Sequence, residues 1–189
     1  MIDLAKSNIL TDNLVPLKNT SYDRDNSCYM TSSVYEVVDF DKVKDTYIFK
    51  GSSISSDKMR SNDALVVLPA GNDFKFIFIE FKNGKLDTFC EELKHEKIRS
   101  KINESLWILN DILNESLPFD RQNINYILVY NKVKNSKYAM ASYLAKKAGK
   151  TFLIAGFSRY NVFFHNVKTM SDTEFVSISE ALENGTYNF

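Results

Sequence analysis

The sequence predicts one α/β domain over residues 1–189: a mixed central β-sheet of about five or six strands, flanked by helices. Three observations carry this. Two apolar, β-rich runs at 64–68 and 74–81 flank a turn. A helix-period stripe of apolar residues follows over 91–117. A third run, INYILVY at 124–130, is continuously apolar and of strand length, as a buried central strand is. The length suits one domain with a sizeable core.

The segment before residue 27 is polar and mixed; Ile9, Leu10, Leu14, Val15 and Leu17 are its apolar anchors, as an irregular arm or a short helix. SSVYEVVDF at 32–40 is β-branched and aromatic, which favours a strand. Asp41 then has the place of an N-cap for a short helix, and one helix over the whole stretch is the competing reading. Residues 48–60 form a loop rich in Gly, Ser and charge. Lys58 and Arg60 there lie just before Asp63, in reach of a phosphate group if a site forms.

Pro69, Gly71 and Asn72 supply turn chemistry between the first two strands, which predicts a hairpin. Asn83-Gly84-Lys85 marks another turn. The stripe of the long helix comprises Ile98, Ile102, Leu106, Leu109 and Leu113, widened by Trp107 and Ile112. Lys94 and Lys101 lie on its flanks, Lys97 opposite, His95 close to it, and Pro118 ends it. The helix between the two apolar strands makes a crossover that would be right-handed.

Residues 132–150 carry six lysines and no acid, the one local basic concentration of the chain. A helix is expected from 136 to 149, with Tyr138, Ala141, Leu144, Ala145 and Ala148 inward and Gly149 as its stop. Two strands at 151–155 and 160–167 follow, with His165 as a packing or surface residue. A last helix has a capping signature at Ser177 and Glu180 and stops near Gly185.

The chemistry lies at the end of the predicted hairpin. Period-2 alternation puts Glu80 and Lys82 on one face of their strand and Phe81 on the other. Hairpin pairing brings Asp63 beside them. Two convergent carboxylates make an oxygen site for Mg2+, and a neighbouring ammonium can position a water on it.

These residues resemble the PD-(D/E)xK nuclease superfamily: Asp63, two apolar strands, Glu80-Phe81-Lys82, then a long helix rich in lysine and apolar residues, over roughly 56–130. Asn62 stands where the motif's name has proline. The resemblance implies a restriction-endonuclease-like fold. It implies Mg2+ (or Mn2+) held by Asp63, Glu80 and the Phe81 carbonyl, with Lys82 as the catalytic lysine. Glu36 is the candidate for the extra acid many members carry. Lys94, Lys97 and Lys101 are candidates for the lysine that the following helix often points at the site, and Lys58, Arg60, Lys85, Lys97 and Lys101 for contacts to nucleic acid. The implied activity is hydrolysis of DNA or RNA in defence, repair or mobile-element biology. A homodimer would let both strands of a duplex be cut. The alternative is the same fold without catalysis, an immunity or regulatory module with a protein partner.

Composition bounds these readings. Lys and Arg number 24, as do Asp and Glu, so any basic surface must be local, which argues against strong non-specific DNA binding. Cys28 and Cys90 form no CxxC pattern and are expected as free thiols. With two histidines, a soft-ligand zinc site is not expected. No apolar run reaches transmembrane length, and the first residues lack the apolar stretch of a signal peptide, so a cytoplasmic protein is expected. No GxSxG, P-loop or Rossmann glycine pattern is present.

Overall fold

A computed structural model describes residues 8–71, 73–86, 91–154 and 156–188, with the backbone alone for 91–96. Its centre is the predicted hairpin. β5 (Ala64–Ala70) pairs antiparallel with β6 (Asp73–Lys82), from Ala64 opposite Ile79 to Ala70 opposite Asp73. Gly71 turns the chain with φ +63°, the left-handed region glycine enters without strain. Pro69 belongs to the strand rather than the turn, opposite Phe74. It is tolerated because the neighbouring strand β4 (Glu36–Asp39) pairs only with the start of β5, leaving this half of the strand at an edge.

The full sheet has six strands in the order β1-β4-β5-β6-β7-β8. β1 (Leu14–Pro16) and β4 (Glu36–Asp39) extend it antiparallel on one side. β7 (Ile124–Tyr130) and β8 (Asn166–Ser171) extend it parallel on the other. A separate pair, β2 (Tyr22–Asp23) and β3 (Cys28–Tyr29), forms a small hairpin. β7 is buried at every residue, the polar Asn125 included, as its largely apolar run requires.

Each face of the sheet has its own core. One buries Leu65, Phe76, Phe78, Tyr126 and Leu128 under Ile98, Ile102, Leu106 and Leu109 of α4 (Glu91–Leu113) and Phe40 and Val43 of α3 (Phe40–Thr46). The other buries Val66, Ile77, Ile79 and Val129 under Leu17 of α2 (Leu17–Thr20) and Phe175 and Leu182 of α7 (Asp172–Glu183). Phe40 meets Phe78 edge-on at 5.0 Å between ring centroids.

Several expectations are corrected. Residues 32–40 give a strand only from Glu36, and Asp39 rather than Asp41 caps α3 by accepting from the Lys42 N–H. Besides α2 and β1, the N-terminal arm contains α1 (Asn8–Thr11). α4 stops at Leu113; Pro118 lies in the first turn of α5 (Leu117–Asn123), where its missing N–H costs nothing. Trp107 is exposed, and Ile108 is buried in its stead. On α6 (Ser136–Lys147) Leu144 and Ala148 face solvent and Ser142 is buried. Residues 151–154 form no strand, and a 3-10 helix (Phe157–Val162) precedes β8. α7 starts earlier than the Ser177 signature: Ser171 accepts from the Glu174 N–H, and Glu174 accepts from the Ser171 N–H. His165 is exposed. Cys90 and the side chains of Lys94 and His95 lie outside the described residues. No helix among the described residues is long and apolar enough to cross a membrane.

Candidate active site

The β5–β6 register, continued one step past Ala64–Ile79, sets Asp63 opposite Glu80. Both side chains point to the face covered by α4. Lys101, from the middle of that helix, reaches between them: its Nζ donates to Asp63 Oδ1 at 3.0 Å and to Glu80 Oε1 and Oε2 at 2.8 and 3.0 Å. Lys82, two residues along from Glu80, contacts Glu80 Oε1 at 2.5 Å. The Phe81 N–H donates to Asp63 Oδ2 at 2.7 Å. Both oxygens of Asp63 are therefore engaged, and Glu80, fully buried, is held by two ammonium groups.

These neighbours set the charges. Burial raises the Asp63 carboxyl to about 7; the Glu80 charge adds to this, and Lys101, Lys82 and the Phe81 N–H oppose it. Burial also pushes on Glu80, but Lys82 and Lys101 outweigh it and hold this carboxyl below its usual range. Burial would lower the Lys101 ammonium, and Glu80 and Asp63 together raise it instead. The two carboxyls titrate together as a pair, with Lys82 and Lys101 favouring the anion at Glu80.

A third carboxylate belongs here. Asp41, in the first turn of α3, accepts a hydrogen bond from Ser61 Oγ and shares a cleft with Asp63. Desolvation of its carboxyl raises it, against the Ser61 bond and the Lys101 charge, and Glu80 raises it further. Sequence reasoning assigned Asp41 to capping and so missed it. Its signal was an acid two residues after a capping acid, in a helix that starts beside the first residue of β5.

The cleft has a volume of about 300 Å3. Asp41, Asp63, Phe81 and Lys82 line one wall, and Tyr22, Asp23 and Met30 of the small hairpin another. The hairpin is pinned there: Asn83, buried next to Lys82, donates to Asp23 Oδ2 at 2.7 Å and to the free thiol of Cys28 at 3.3 Å. Asn131 donates to Asn83 Oδ1 at 2.8 Å, which ties the end of β7 into the same bracket.

Comparison with protein-family models, with curated proteins and with solved structures gave no match to this chain.

The other expected site residues divide as follows. Glu36 is not brought to the pair: Val38 pairs with Leu65, so Glu36 falls across from Val67, roughly 13 Å of strand from Asp63. Lys97 is exposed one turn before Lys101, and Lys58 and Lys85 are exposed in loops. Arg60 is exposed, and its backbone N–H donates to the Glu104 carboxylate, which ties the loop to α4.

The donor set fits a hard divalent cation. Among the described residues no group of three or more His, Cys, Asp or Glu side chains converges as a metal cage. Asp63 and Glu80, however, already aim oxygens at one shared cation, the Lys101 ammonium. Mg2+ is commonly held by one or two carboxylates together with waters.

Proposed function

We propose that the chain is a metal-dependent phosphodiesterase that hydrolyses nucleic acid, DNA or RNA, on a restriction-endonuclease-like fold. One observation carries this reading: Asp63, which lines a cleft, and the buried Glu80 are brought together by a hairpin and share a single cation within 3.0 Å, with Lys82 beside them. Asp63 and Glu80 would hold Mg2+ or Mn2+, which when bound neutralises charge on a phosphodiester and makes a water acidic. Lys82 is one-third exposed and stands at the cleft, where its ammonium orients the attacking water and steadies the anion it leaves. Lys101, displaced from the carboxylates, supplies a positive charge to phosphate oxygens.

The same Lys101 favours a second reading. Its ammonium offsets the buried carboxylates without any metal, as a fold retained for binding a protein partner would need.

Calorimetry with Mg2+ and Mn2+ separates the two, on wild type and on the Asp63→Ala/Glu80→Ala variant, paired with cleavage of a panel of DNA and RNA. The phosphodiesterase reading expects metal binding that the variant loses and cleavage that Lys82→Ala abolishes. Wild type that neither binds metal nor cleaves sinks it and leaves the protein-binding module.

A further inference from the structure

Resting on the phosphodiesterase reading, we propose that the substrate of this site is single-stranded nucleic acid, with its bases stacked on Tyr22 and Tyr29 of the hairpin that walls the cleft. The two tyrosines are cross-strand partners with ring centroids 4.8 Å apart. A pair of this kind stabilises a two-residue ladder, and rings that stay open can serve a ligand as well. These are 42 % and 57 % exposed.

Their placement ties them to the carboxylates. Tyr22 lines the same cleft as Asp63 and Lys82. Tyr29 lines the adjoining hollow of about 780 Å3, together with Lys18, and Met30 borders both. A strand whose phosphate lies at Asp63 thus has an aromatic face on the cleft wall and a second beside it on the same face of the hairpin, where Lys18 lines the adjoining hollow. Two cationic groups stand at the turn of the hairpin. Arg24 is exposed in the hairpin turn, and Lys134 reaches the hairpin at Asn26, 3.2 Å from its Oδ1. The Asp23–Asn83 bond fixes the hairpin against the end of β6, so the stacking faces stand at a set distance from the acids.

Bases are available for such stacking only when unpaired; in a duplex their faces are covered. Stacking also supplies affinity that does not depend on net positive charge, and the formal net charge of this chain is zero.

The test is fluorescence anisotropy at low salt, in chelator so that nothing is cleaved, with labelled oligothymidylate, oligouridylate and a mixed-sequence duplex. Single strands should bind more tightly than the duplex. Tyr22→Leu and Tyr29→Leu should each weaken single-strand binding roughly tenfold. The Phe variants should bind as wild type. Trp variants keep a ring in the pair and should bind at least as tightly, which answers the case of a Leu variant whose hairpin unfolds. A preference for the duplex, no binding to either form, or Leu variants that bind as wild type would overturn the proposal. Cleavage in Mg2+ is read separately. Cleavage of duplex alone, untouched by the tyrosine variants, would overturn single-strand recognition and leave the phosphodiesterase. Tyrosine-dependent binding with no cleavage would keep the recognition and remove the phosphodiesterase. The thymidylate and uridylate arms separate DNA from RNA.

Discussion

Lys101 decides how the carboxylate pair behaves. Its ammonium is the one group within 3.0 Å of both Asp63 and Glu80 among the described residues. In Lys101→Met those carboxylates lose a shared partner inside the fold, and breaking a buried ion pair from one side costs about 3 kcal/mol. A divalent cation can then take the vacated place. Denaturant melts should show the variant destabilised by roughly that amount in chelator, with Mg2+ restoring it more than it stabilises wild type. Equal Mg2+ responses would show that lysine and metal do not compete. At this scale the sequence was legible where a local period applied. Asp63, Glu80 and Lys82 follow from strand alternation and a short hairpin. Lys101 was visible as a flank of the helix stripe and, through the resemblance, as one of three candidate lysines; which of them reaches the acids depends on how α4 lies over β6. Asp41 was hidden, because moving the cap to Asp39 turns Asp41 from a backbone partner into a side chain free to face the cleft.

Among the elements, α7 is the one most clearly fixed at its start. Ser171→Ala removes the capping hydroxyl and should cost about 1 kcal/mol. Its partner Glu174 gives the effect a pH signature. Burial would raise the Glu174 carboxyl, but Lys146 at 2.7 Å and the bonds from Ser171 and Ser142 outweigh it and hold it at about 2. A carboxyl depressed in the folded state stabilises above its ordinary value of 4.5 and loses this as pH falls toward 2. The stability gap between wild type and Glu174→Gln, from urea midpoints, should therefore be full at neutral pH and shrink with acid. A gap that persists below the depressed value would refute the charge account. Elements were legible where apolar spacing was strong, as in α4 and β7. The stretch 151–167 misled because Phe152, Tyr160 and Phe164 read as β-rich. Their apolar faces instead fill the core from a loop and a 3-10 helix, a tertiary choice that local preference does not encode.

Over the whole molecule, the antiparallel half of the sheet carries the acids and the parallel half supplies the buried backing. The βαβ crossover from β6 through α4 to β7 was legible from element order alone. The joining of β1 to the sheet was not, since three residues ending in proline announce no strand.

That short strand has a consequence for how copies of the chain meet. An open sheet leaves two borders able to recruit a strand from a neighbour. One border here is only three residues long and ends in Pro16, which offers no N–H. The other, β8, carries Lys168 at its middle, its ammonium 5.9 Å from the Tyr187 ring centroid. A charge there opposes the stacking of a second β8 against the first. Lys168→Val should leave the melting temperature nearly unchanged yet lower the protein concentration at which light scattering rises on prolonged incubation. Unchanged scattering would mean that β8 needs no such guard. A short border ending in proline and a border carrying a lysine both disfavour self-association by sheet extension.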